Sequence, residues 1–173
     1  MGLFNKILQA IDDPTQEASF DGIGNIVNTI QQTGSIYGAD PEKSQMLLSM
    51  VSGYVRSALQ EKRNSEGDDT VKNLVNQFSG TSANAEAVFA LFNQSQLAQI
   101  VPEIANKSGI NAATIQAMLP MLIPAVLSLL KTGANKENPQ QATNPVLNTF
   151  LDADGDGDVD VTDAMNLAQR FLG

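Results

Sequence analysis

The chain has 173 residues, 42% of them apolar, enough for one core with a small appendage. It contains no cysteine and no histidine, which excludes disulfides, thiol nucleophiles, the usual zinc sites and every histidine-based triad. Nineteen acids against ten bases give a net charge of -9, but six of the acids crowd between Asp152 and Asp163, leaving thirteen against ten elsewhere. The acidity is therefore local, and a local anionic cluster points to a cation. No basic stripe suits a nucleic-acid backbone, and 5% aromatic content offers few stacking platforms, so no nucleic-acid partner is expected. No catalytic constellation shows itself outside the acidic segment, and an enzyme is not expected.

The start, MGLFNKILQAIDDP, lacks the charged leader, apolar stretch and cleavage site of a secretory signal, so a cytoplasmic location is expected. Lys6 stands where myristoylation needs Ser or Thr, and as the lone base of that segment it makes core packing a better use of Phe4 and Ile7 than a membrane anchor. Apolar residues recur at helical spacing throughout, and the fold class is all-α. Leu3, Phe4, Ile7, Leu8 and Ile11 form a first face ending before Pro14, and Ile23, Ile26, Val27 and Ile30 form a second that closes near Gly34.

Asp40-Pro41 opens a third helix, with the carboxylate as cap and proline at the first helical position. Its apolar face is Met46, Leu47, Met50, Val51, Tyr54, Val55, Ala58 and Leu59, leaving Lys43, Ser44, Ser52 and Arg56 on a polar face. The run EKRNSEGDD over 61–69 reads as a solvated loop. Short helices carry Val71, Leu74, Val75 and Phe78, then Ala87, Val88, Leu91 and Phe92, then Leu97, Ile100, Val101 and Ile104 up to Gly109. Asn111 caps a long helix over 112–131 that is apolar nearly all round, so it is buried in the core, in a self-association surface or in a membrane. Its uninterrupted apolar run falls short of the ~20 residues a bilayer needs, which favours the core, and Pro120 and Pro124 predict a kink.

Offsetting the chain by 71 places Gly38, Gln45, Leu48, Met50, Val55, Ser57 and Leu59 on Gly109, Gln116, Leu119, Met121, Val126, Ser128 and Leu130. At offset 74, Ile23, Ile26, Val27 and Ile30 fall on Leu97, Ile100, Val101 and Ile104. A bundle built from a duplicated helix pair is expected over 1–131. The polar stretch 132–144 reads as a flexible linker, and 145–173 as a tethered C-terminal calcium-binding segment.

That last segment contains DADGDGDVDVTD, with carboxylates at loop positions 1, 3, 5, 9 and 12, glycine at 6 and an aliphatic residue at 8. Asp152, Asp154 and Asp156 alternate, so a tight loop turns all three inward as hard oxygen ligands. Gly157 permits the chain reversal, Asp158 offers its backbone carbonyl, Asp160 ligates through a water, and Asp163 closes the shell. Val159 faces apolar surroundings. Val146, Leu147, Phe150 and Leu151 line an entering helix, and Ala164, Leu167, Ala168 and Phe171 an exiting one.

The segment resembles an EF-hand loop, and with Asp163 in the last position followed by AMNL it is similar to one half of a dockerin repeat. Calcium is the cofactor this implies. Asp in place of the usual Glu weakens calcium and lets magnesium compete. A single, unpaired hand implies dimerisation through the Val159 edge, or docking on the body or on a protein partner. Residues 1–131 resemble the YidB-like bacterial family of unknown function in the MGLF start, GADPEKSQ and MLPMLIPAVLSLLKTG, and a form with a C-terminal calcium loop is similar to its cyanobacterial members. This resemblance implies a helical bundle and no activity. The expected function is a non-enzymatic calcium-binding interaction module, the alternative being a dockerin-like assembly module or a membrane-associated scaffold with structural calcium.

Overall fold

The computed structural model describes residues 9–15, 19–138 and 144–152. Among these residues the fold is all-α, as the periodicity predicts, with no β-strand. Residues 9–12 are helical and bring Ala10 into the core. Ser19 then starts α1 (Phe20–Ile36), its hydroxyl accepting the Gly22 amide at 3.0 Å. The helix runs past Gly34, and the chain turns instead at Gly38, whose φ of +71 suits glycine.

Pro41 is the first residue of α2 (Pro41–Glu66). Asp40 takes the extended conformation of a cap, yet its side chain makes no capping hydrogen bond, so the fixed φ of proline carries the start. The buried line of α2 is Leu47, Leu48, Val51, Ser52, Val55, Arg56, Ala58 and Leu59. That face is rotated from the expected one: Met46 is exposed, whereas Ser52 and Arg56, expected on a wet face, are buried at 0% and 6% exposure. A second correction concerns 61–69, which is helical rather than a loop. Glu61, Lys62 and Arg63 are good helix formers, and Lys62 pairs with Glu66 at 3.5 Å one turn on. Gly67, with φ +96, breaks the helix in a single residue, and α3 (Asp68–Phe78) starts at once, Asp68 and Asp69 complementing its N-terminal dipole.

Asn84 caps α4 (Ala85–Leu91) by accepting the amides of Glu86 and Ala87. Asn93 and Gln96 form a reciprocal capping box at the start of α5 (Gln94–Ser108), at 2.8 and 2.9 Å. Gly109 ends that helix in the left-handed conformation, and Asn111 caps α6 (Ala112–Lys131), accepting the Ala113 amide at 2.8 Å. The last helix, α7 (Pro145–Asp152), follows.

Every other labelled helix packs on α6. Ile115, Met118, Leu119, Leu122, Ile123, Ala125, Val126, Leu127, Leu129 and Leu130 are buried in it, and each of the larger ones contributes about 1.5–3 kcal/mol by leaving water. The helix is long and apolar enough to cross a membrane by length and composition, and it is the central core helix of this body. It runs unbroken through both prolines. Pro124 has no N–H to give to the Pro120 carbonyl, and the Asn84 amide donates to that carbonyl at 2.8 Å instead. The Gly80 amide donates to the Pro124 carbonyl at 3.3 Å, so the α3–α4 connection is stitched to the backbone of α6.

Several positions matched by the offset of 71 have matching environments. Gly38 and Gly109 share φ +71, and Leu48 and Leu119, Val55 and Val126, and Leu59 and Leu130 are buried in both copies.

Candidate metal centre

Of the expected ligands, Asp152 lies in α7. Asp154, Asp156, Asp158, Asp160 and Asp163 lie outside the described residues, as do Val159 and the expected exiting helix. Among the described residues no group of three or more carboxylates is placed to hold a metal ion. The structure describes how α7, which carries Asp152, is held.

It is held by the core. Val146, Leu147, Phe150 and Leu151 are between 0% and 2% exposed and pack α7 against α6 and α2. The helix expected to open a separate tethered segment is thus part of the body. The stretch 132–144, expected to be a linker with little to bury, is buried at both ends, at Thr132, Gly133 and Ala134 and again at Asn144. Its polar composition hid this, because its buried polar groups are satisfied at close quarters. The Thr132 hydroxyl donates to the Leu129 carbonyl at 2.6 Å. Asn144 donates from Nδ2 to the Leu130 carbonyl at 3.0 Å and accepts the Leu147 amide on Oδ1 at 3.0 Å, tying the end of α6 to the start of α7. Gly133 makes room for this: a Cβ there would fall on Asn144 Oδ1 and lie 2.8 Å from Val146 Cβ. Further along, the Lys136 amide donates to the Thr15 carbonyl at 2.8 Å.

The far end of α7 meets a polar stripe on α2. Ser52, Arg56 and Gln60 are spaced four apart and so share one helical face. Gln60 donates from Nε2 to the Leu151 carbonyl at 2.5 Å, one residue before Asp152. The Arg56 guanidinium lies 4.8 Å from the centre of the Phe150 ring, a cation–π contact inside the core. Neither Ser52 Oγ nor the Nε and Nη2 of Arg56 has a hydrogen-bond partner among the described residues. These residues, with Gly133 and Asn144, are what sequence reasoning missed. The repeat held a signal: offset by 71, Ser52 and Arg56 fall on Ile123 and Leu127, so polar groups occupy apolar positions.

Two further features lie elsewhere on the body. A cavity of about 450 Å³ lies between α4, α5 and α6, lined by Val88, Phe89, Leu97, Val101, Leu119 and Pro120 among others, with the Phe89 ring exposed at 64%. On the surface, Tyr54 of α2 hydrogen-bonds to Glu103 of α5, which pairs with Lys107 at 2.7 Å. Burial, reinforced by the Glu103 carboxylate, pushes the Tyr54 phenol up to about 12. The hydrogen bonds from Lys107 and Tyr54 hold Glu103 below its ordinary range.

In comparisons with known proteins, no family model, no curated protein and no solved structure matches this chain.

Proposed function

We propose that this is a non-enzymatic calcium-binding protein in which a helical body presents one acidic loop, with Asp152 as the first ligand and Asp154, Asp156, Asp158, Asp160 and Asp163 completing the set. The observation that carries this reading is the register between loop and fold. The carboxylate pattern begins at Asp152 in α7, and that helix is fixed by four buried apolar side chains. The donor set is oxygen only, in a chain without cysteine or histidine, which suits a hard cation such as calcium, with magnesium as competitor. Entering helix, loop and exiting helix make one hand, completed by a second copy or by a protein partner. The body is read as a duplicated helix pair, supported by the equal φ of Gly38 and Gly109 and by the matched burial that follows them.

Because α7 belongs to the core, a cation bound at its end is linked to the stability of the whole body. At a calcium concentration of a hundred times Kd the gain is about 2.7 kcal/mol, which raises Tm by roughly 5–10 °C for a chain of this size. Calorimetric titration is expected to show one calcium site per chain, weakened by magnesium and lost in Asp152→Ala. An unchanged heat signal in that variant, or no thermal shift with saturating calcium, defeats the proposal.

A further inference from the structure

Most buried polar side chains of the body are satisfied. The hydroxyls of Thr33, Ser108 and Thr132 donate to the carbonyls of Thr29, Ile104 and Leu129, and Asn144 uses both of its amide atoms. Ser52 and Arg56 differ: Ser52 Oγ and the Nε and Nη2 of Arg56 have no partner among the described residues, and the two side chains share one face of α2. Arg56 is also the only charged side chain buried among those residues, at 6% exposure. What lies over it is α7, whose Phe150 ring covers the guanidinium at 4.8 Å. Burial strips the guanidinium of water, and a cation–π contact returns only part of that loss while N–H groups stay without acceptors.

The seat of α7 therefore holds two opposed effects. Val146, Leu147, Phe150 and Leu151, at 0–2% exposure, hold the helix down by leaving water. Arg56 and Ser52 regain hydrogen bonds when it lifts. The polar ties of the seat, from Asn144 to the Leu130 carbonyl and from Gln60 to the Leu151 carbonyl, join neutral groups that water satisfies nearly as well. Lifting α1 or α5 brings no such return, because Thr33 and Ser108 are bonded within their own helices.

We infer that α7 is a releasable strap: it lifts from α6 and α2 as a unit while the rest of the body stays folded, and the uncompensated charge of Arg56 sets how readily it does so. The closed seat is the ground state, held by the four apolar side chains. Lifting presents two apolar faces at once, the inner face of α7 and the seat it leaves, the latter with the guanidinium in it. A partner that binds either face holds the strap open by mass action. The inference stands on contacts among the described residues and does not depend on the calcium reading.

The chain has no cysteine, so a single introduced thiol reports on the position that carries it. Val146→Cys places that thiol in α7 and Val126→Cys places it in α6, at sites 0% and 1% exposed. Both full-length proteins are labelled under folding conditions with dithionitrobenzoate and a metal chelator, each rate being divided by that of the same protein in strong denaturant. Labelling at 146 is expected to be at least about a hundredfold faster than at 126, because opening one helix costs less than unfolding the body. Its rate is also expected to rise with urea less steeply than unfolding does, since less surface is exposed. Equal rates at the two positions, or a urea dependence at 146 equal to that of unfolding, overturn the strap. A second arm adds Arg56→Met or Arg56→Leu to the Val146→Cys protein. Each is expected to slow labelling about tenfold, as an apolar side chain in place of an uncompensated buried charge favours the closed seat. The two replacements differ in shape, so a packing fault in one is separated from the effect of the charge. Slower labelling in either supports the role of Arg56, and unchanged or faster labelling in both overturns it.

Discussion

Replacing Gly133 with alanine tests whether α7 is seated as described. The added Cβ would fall on Asn144 Oδ1 and within 2.8 Å of both Val146 Cβ and Cγ2, and the backbone-bound Asn144 has little room to yield. Displacing Asn144 breaks its 3.0 Å bonds to the Leu130 carbonyl and the Leu147 amide, both buried. Two buried hydrogen bonds at about 1–1.5 kcal/mol each, with the overpacking against Val146, give an expected loss of about 2–4 kcal/mol. In a chain of this length that lowers Tm by roughly 5–15 °C. Gly53 supplies a matched control, since it lies inside α2 and a Cβ there meets nothing within 4 Å. Gly53→Ala is expected to stabilise by about 0.5–1 kcal/mol through the unfolded chain and helix propensity. Urea unfolding followed by far-UV circular dichroism measures both. A Gly133→Ala protein within about 0.5 kcal/mol of the parent, the range of a neutral surface change, refutes the seat.

Three other outcomes follow from contacts outside α7. Tyr54 ionises at about 12 in the folded protein against an ordinary 10.0, so its contribution to stability is complete below pH 10 and is lost as pH rises towards 12. Denaturant midpoints measured across that window are expected to fall, and to fall less steeply in Tyr54→Phe. The same network works in the opposite sense at low pH: Glu103 is held below 4.5, so its contribution is present above that value and lost as pH falls, a loss expected to be absent in Glu103→Gln. Asn93→Ala removes the side-chain acceptor of the Gln96 amide while the backbone half of the capping box remains, and is expected to cost about 1 kcal/mol in the same unfolding assay.

Much of the helical framework could be read from local chemistry. Asn111 and Lys131 bound α6 as the periodicity predicts, Gly109 ends α5, and Pro41 opens α2, because caps, glycines and prolines act on their own few residues. The failures share one cause, which is that burial is settled by distant chain. Ser52 and Arg56 read as a wet face until α7, almost a hundred residues on, is laid over them. The polar stretch after Lys131 reads as a tether because composition does not reveal that Asn144 bonds back to Leu130. For 61–69 a cluster of charges reads as loop, yet glutamate, lysine and arginine are helix formers and a single glycine with positive φ suffices to turn the chain. The expected acidic loop rests on its spacing alone, and the structure adds the helix that carries Asp152.

The position of α6 at the hub also bears on how the protein is made. Every labelled helix synthesised before it packs against it, so at elongation rates of 5–20 residues per second the last residue of α1 is joined to the chain roughly 5–20 s before Lys131 is. During that interval Ile23, Ile26 and Val27 have no completed surface to cover them. The nascent chain is a set of amphipathic segments awaiting a late partner.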